Sequence, residues 1–319
     1  MKRKPVFWVP LFGTALIAVL SLFVGVIQIS PSQVFSDAET LKLVFDSRFP
    51  RTAAAVIAGA TLSVAGLIMQ MLVRNRFVEP MTAGTGQGAA LGILIASVVF
   101  PSSSIQVKML LACSVALFTS LGFLAIVRRL PPTQPLLVPL VGMVYGGVLG
   151  ASVTFVAYQA DLLQYIDIWM NGEFSGVMRG RYELLWIAAA VAVAAYFVAD
   201  QFAIAGLGKE ASLNLGLNYN QIVMLGLVVI SIVSALTVVT VGLTPFVGLV
   251  VPNIVSRRFG DNLRATMPMT ALMGAALVLA SDILGRILRH PFEIPVGTIL
   301  GILGAGVFLW LLYARPRNV

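Results

Sequence analysis

Charged side chains are scarce in this sequence: only 11% of its 319 residues are Asp, Glu, Lys or Arg, against 59% hydrophobic. A soluble domain carries about 25% charged residues, so a water-soluble globular protein is excluded. Histidine occurs once, at His290, which rules out the clustered imidazoles of a zinc-type site. Cysteine also occurs once, at Cys113, so no disulfide framework can form within one chain. A small apolar residue buried among helices is the expected reading of that thiol. The intramembrane carboxylate pairs on which proton-coupled carriers depend are missing. No nucleophile–base set offers itself for an enzyme, so no catalytic residue is assigned, and neither a cofactor nor a metal is expected.

What the chain does have is long apolar runs. They fall at about residues 6–29, 52–72, 81–100, 109–127, 136–158, 184–204, 222–241, 243–259, 267–288 and 295–314. A bilayer core of roughly 30 Å needs about twenty such residues as a helix, so the pattern predicts an all-α, polytopic membrane protein of about ten spans. The second run is rich in small residues (Ala53, Ala54, Ala55, Gly59, Ala60, Ser63, Ala65, Gly66), which suit helices packed closely in lipid. The eighth run is short and interrupted by Pro245 and Pro252. It reads as a tilted or partly re-entrant segment. No soluble domain interrupts the series, so residues 1–319 form one transmembrane domain.

The net charge of +8 would suggest nucleic acid in a soluble protein. Here the basic residues sit in short loops between apolar runs, so no nucleic-acid partner is expected. Ten spans with Lys2, Arg3 and Lys4 inside place Arg74, Arg76, Arg128, Arg129, Lys209, Arg257, Arg258, Arg264, Arg315 and Arg317 inside as well. Most acidic residues fall outside. This is the positive-inside bias, with both termini cytoplasmic and the first run retained as a span. Two connections exceed a turn. Residues 159–181, outside, include Trp169, Asn171, Gly172 and Gly176 and have room for a short interfacial helix. Residues 205–220, inside, are punctuated by Gly206, Gly208 and Gly216, with about two helical turns at 209–215. That short helix is either a docking element for a soluble partner or an ordinary connector.

Motifs decide between functions. Residues 84–89 fit G-x-G-x-x-A, but no soluble strand precedes them, and close helix packing is the better reading. Gly208-Lys209 resembles the end of a phosphate loop, yet Glu210 stands where Ser or Thr is needed. ATP energy, if used, must come from another subunit. Asp282 and Arg286 are spaced i,i+4, which suits a structural ion pair within a span. Arg48 and Arg51 share one face where the second helix begins, and Arg286 emerges at the same level. Arginines are disfavoured outside. The three therefore suggest either snorkelling side chains or an outward basic face for the carboxylates of a partner.

Three sequence stretches carry a resemblance. Arg48-Phe49-Pro50-Arg51, Met69-Gln70 and Asn75 through Glu79-Pro80 follow R-L-P-R…M-Q…N-P-L-A-x-P. Phe246 to Pro252 resembles F-I-G-L-x-x-P-H. Asp282…Arg286, followed by Glu293-Ile294-Pro295-Val296-Gly297, resembles a segment containing A-E-x-P-x-G. With these, the chain resembles permeases of the type II ABC importer family, which serve iron–siderophore, haem and cobalamin uptake. It departs at Arg76, where proline is usual, and at Asn253, where histidine is usual. The resemblance implies a ten-helix permease in the inner (cytoplasmic) membrane, paired with a second permease subunit, either a copy or a related chain. Two cytoplasmic ATPase subunits would bind residues 205–220, with Gly208, Lys209, Glu210, Ala211, Leu215 and Gly216 as the coupling residues. An extracytoplasmic substrate-binding protein would dock by acidic residues onto Arg48, Arg51 and Arg286. The implied cargo is a ferric siderophore, with cobalamin or haem as the nearest alternative. A proton- or sodium-coupled secondary transporter is the alternative of a different class; it calls for inverted repeats and intramembrane carboxylates, which are not evident.

Overall fold

A computed structural model describes residues 7–25, 37–127, 129–130 and 137–313. Lys2, Arg3, Lys4, Arg128, Arg315 and Arg317, which enter the expected charge bias, lie outside the described residues. In chain order the helices are α1 (Trp8–Phe23), α2 (Ala38–Leu43), α3 (Phe49–Val73), α4 (Thr85–Val99) and α5 (Ile105–Val127). Then come α6 (Leu137–Gln159), α7 (Leu163–Met170), α8 (Leu184–Phe197), α9 (Ala199–Leu207) and α10 (Lys209–Asn214). The last four are α11 (Tyr219–Val241), α12 (Val247–Phe259), α13 (Leu263–Ile287) and α14 (Val296–Tyr313). Among the described residues the only β pairing is one isolated bridge, Asn171 to Leu243. Each expected apolar run contains a helix within its described residues, and the short helix expected in the connection at 159–181 is α7. Among the described residues, five helices are long and apolar enough to cross a membrane. They are six if α8 and α9, bent by 65° at Val198, count as one span.

The organising element is α3. It continues α2 through a five-residue π-helical stretch, Val44–Arg48, so that 36 residues from Ala38 to Val73 run as one helix. Pro50 explains the stretch: it has no N–H and its ring crowds the carbonyl four residues back, which one widened turn relieves. At the other end Arg74 adopts the left-handed conformation (φ 55°). Its N–H and that of Asn75 return to Met71 and Gln70 and close the helix. Nearly all of α3 between Arg51 and Leu72 is buried against α13, α11, α12 and α8. Two glycines set the closest approaches. A methyl group on Gly59 would overlap the carbonyl of Gly274 on α13, and one on Gly66 would overlap the carbonyl of Gly248 on α12. Lipid offers no hydrophobic drive between helices, so such contacts hold the bundle by dispersion.

The eighth run is a half-length helix. α12 has 13 residues, about 20 Å, and begins at Phe246 with φ 66°, beside the middle of α3. Pro252 lies inside it and cannot donate to the carbonyl of Gly248. Gln70 of α3 takes over: its Nε2 donates to Gly248 O at 3.1 Å. The orphan carbonyl created by one sequence stretch is thus satisfied by a side chain from another.

A second seam is built from backbone. Leu243 N donates to Met170 O (3.2 Å), Glu173 N to Val241 O (3.0 Å) and Gly297 N to Gly172 O (2.8 Å). These bonds lace the end of α7, the α11–α12 connection and the start of α14 together. The glycines of residues 84–92 do pack closely: side chains at Gly88 or Gly92 would strike Thr119 and Ala112 of α5.

Candidate functional sites at the two ends of α3

Arg48 and Arg51 stand at the start of α3, and the antiparallel α13 brings Asp282 and Arg286 beside them. Asp282 Oδ1 accepts from Arg51 Nε (3.1 Å) and Nη2 (2.7 Å), while its Oδ2 accepts from Arg286 Nη2 (2.5 Å). Glu293, on the connection into α14, accepts from Arg51 Nη1 at 3.0 Å and pairs with Nη2 at 2.8 Å. Arg286 also donates to Ser21 O (2.9 Å), Val24 O (2.6 Å) and Ser21 Oγ (2.6 Å), and Arg48 donates to Leu22 O (2.8 Å). The last carbonyls of a helix lack intrahelical donors. Two of these arginines supply them at the C-terminus of α1.

The three arginines come together as their spacing suggests, but they do not form an exposed basic face. Arg286 is 5% exposed and Arg48 8%, and every one of the three is engaged with carboxylates or with α1. The reason is local: a guanidinium beside the frayed end of a helix gains charge-assisted bonds to carbonyl oxygens that an outward rotamer would lose. Three arginines and two carboxylates leave the cluster one positive charge in excess. Sequence reasoning did not foresee that Glu293 and the end of α1 belong to this cluster.

The other end of α3 meets the region of residues 205–220. α9 breaks at Gly208 (φ 117°), α10 follows for six residues, and Gly216 (φ 77°) ends the excursion before Asn218 caps α11 through its side chain. Ser212 is buried and donates to Gly208 O at 2.7 Å, fastening α10 to the break. The guanidinium of Arg74 fills the space that a side chain on Gly208 would need. Lys209 and Glu210 are exposed, Ala211 is half-buried, and Leu215 and Gly216 are exposed. Leu207 (67% exposed) and Leu213 (55%) add an apolar surface that sequence reading missed. Exposure of leucines on a short polar excursion is the one signal that could have shown it. Nearby, Arg76 pairs with Asp261 (2.9 Å) and Arg264 with Asp200. The two departures from the resembled pattern touch each other, Asn253 Nδ2 donating to Arg76 O at 2.7 Å.

Comparison with known proteins adds to this geometry. The model of the FecCD transport family matches residues 13–314. The chain is 44% identical over 301 residues to the petrobactin import system permease protein YclN of Bacillus subtilis, covering 94% of this chain and 95% of that one. It is 40% identical over 294 residues to the ferric-anguibactin transport system permease protein FatD of Vibrio anguillarum, covering 92% and 93%. A solved metal-chelate type ABC transporter in an inward-facing conformation superposes with TM-score 0.85 at 24% identity, covering 98% and 99% of the two chains. That likeness shows the fold.

Proposed function

This chain belongs to the FecCD transport family, and from that premise we propose that it carries ferric siderophores inward across a cytoplasmic membrane. It is an ABC transporter permease and not itself an enzyme. The observation that carries the cargo reading is near-full-length identity of 44% and 40% to permeases named for petrobactin and ferric-anguibactin. We place α10 at the cytoplasmic side, where it docks one of two ATPase subunits. Its exposed Leu213 and Leu215, flanked by Lys209 and Glu210, offer an apolar knob with a charged rim, the usual anatomy of a protein interface. The cluster at Arg48, Arg51 and Arg286 lies buried just beneath the surface on which a substrate-binding protein would dock. Its one surplus positive charge acts through the surface on that protein's carboxylates rather than by direct contact, which favours orientation over raw affinity. A second permease subunit covers α6 and α14. In support, α6 leaves Gly147, Ala151, Ser152 and Thr154 exposed beside Val148 and Phe155, a mixture that fits a protein or water-lined surface better than acyl chains.

The test is uptake of iron-loaded siderophore into proteoliposomes holding the permease, its ATPase and its binding protein. Uptake is expected to require ATP hydrolysis. Leu213→Asp should cut binding-protein-stimulated hydrolysis by about tenfold or more, corresponding to at least ~1.4 kcal/mol, without loss of membrane insertion. Uptake that persists without the ATPase and follows a proton or sodium gradient would refute the reading.

A further inference from the structure

Between α8 and α13, with α3 as its floor, lies a cavity of about 310 Å³. Three helical stripes line it. On α3 the stripe is Ile57, Ala60 and Val64; on α8 it is Ala189, Ala192 and Tyr196; on α13 it is Pro268 and Ala271. Steps of three and four residues put each set on one helix face. The hollow has a plain cause. Where α8 and α13 pack on α3, the lining residues at 60, 189, 192 and 271 are all alanine, whose side chain ends at Cβ.

The lining offers water nothing. Thr61 donates to Ile57 O (2.8 Å), the Tyr196 hydroxyl meets the guanidinium of Arg264, and the remaining lining side chains are apolar. An apolar cavity stays dry, and its lining atoms lack dispersion partners until something apolar fills it. The rim looks outward: Val193 is 60% exposed and Phe197 72%, while Val64 on the floor is 4% exposed. The three helices belong to membrane-crossing segments, so the medium at the rim is lipid. No lining residue comes from α6 or α14, the faces assigned to a second permease subunit.

One end of the cavity carries charge. Arg264 continues the α13 stripe one turn before Pro268. Its guanidinium pairs with Asp200 of α9, which the 65° bend at Val198 carries across to α13, and it stays more than half exposed. A guanidinium has five N–H donors, more than one carboxylate and one phenol take up. From Arg264 to Ala271 the helix covers about 10 Å, whereas one leaflet of the hydrocarbon core is about 15 Å deep. The cavity therefore runs inward from a cation at the interface and ends within a single leaflet.

We propose that this cavity seats one acyl chain of a membrane phospholipid, whose phosphate takes the remaining donors of Arg264. The apolar stripes match the chain, and the planar fork of arginine matches the phosphate. A seated chain fills the gap between α8 and α13 and braces the bend from which α9 and α10 continue.

The test uses the full chain in nanodiscs of phosphatidylethanolamine and phosphatidylglycerol, doped with phosphatidylglycerol bearing a diazirine in its upper acyl chain. Labelled peptides are mapped by mass spectrometry after illumination. Label at 189–196 and 267–271 should exceed by several-fold that on the exposed face of α1 (Val9, Phe12, Leu16), which reports bulk lipid. Ala192→Phe combined with Ala271→Phe should bring it down to the α1 level. Ala271→Leu, a milder filling that serves if the double variant does not fold, should lower it in part. Arg264→Gln should lower the label several-fold and Arg264→Lys should keep most of it. Label no higher than on α1, label that survives filling, or label indifferent to Arg264→Gln overturns the proposal. So does loss of the label when the disc holds a second permease copy, which would mark a protein occupant. The measurement needs neither ATP nor binding protein, so its failure and failure of the importer reading are separate results.

Discussion

Replacing Asp282 by Asn should destabilise the protein more than any other isosteric change at the Arg51 cluster. Asp282 has no exposed side-chain surface and accepts three N–H bonds from two guanidinium groups. An amide keeps one acceptor oxygen and turns an NH2 group toward one of the arginines. Glu293 would then be left as the single carboxylate among Arg48, Arg51 and Arg286. Breaking a buried pair by removing one partner costs about 3–5 kcal/mol, so the folded-to-unfolded ratio should fall by roughly two to four orders of magnitude. Glu293→Gln makes the natural comparison. Its side chain is 21% exposed, solvent screens it, and the expected loss is about 1 kcal/mol. Removing both α13 partners, as Asp282→Leu with Arg286→Met, should recover part of the loss, since apolar replacement of a whole pair is often tolerated. Equilibrium unfolding of the purified permease in mixed micelles, followed by tryptophan fluorescence, measures all three. If Asp282→Asn lies within about 1 kcal/mol of wild type, or costs no more than Glu293→Gln, the cluster is not the structural centre described above.

Three further substitutions probe the packing. Gly66→Ala drives a methyl group into the Gly248 carbonyl, which Gln70 already holds. A loss of about 1–3 kcal/mol is expected in the same unfolding assay, whereas Gly147→Ala, with open space around it, should be neutral or slightly stabilising. Tyr145→Phe removes a 2.7 Å bond to Thr119 O and should lower stability by about 1 kcal/mol, leaving membrane insertion unchanged in a fractionation assay.

The helices were legible because run length and absence of charge are local properties, and α5 or α11 needs nothing else to be recognised. The pairing of Gln70 with Gly248 is of another kind. Each residue stands in a recognisable stretch, but only the depth at which α12 begins places the orphan carbonyl beside that amide, and depth is set by packing. The arginines show the same limit. Spacing puts Arg48 and Arg51 on one face and Arg286 at their level. It cannot say that α1 ends within reach, so their inward rotamers were not foreseen. Glu79 was visible as part of a motif. Its burial depends on a turn folding back against α12, which no periodicity records.

The cluster at Arg51 also has a history within each molecule. Its carboxylate partners lie 231 and 242 residues further along the chain, which at 5–20 residues per second is roughly 10–50 s of synthesis. Through that interval neither of its final partners has been made. Asp282 and Arg286 reach the membrane together, one turn apart, and can neutralise each other as they insert. α3 therefore enters the bilayer with an unresolved charge that α13 later resolves. Closure of the cluster marks the moment at which a nascent permease reaches its final charge pairing.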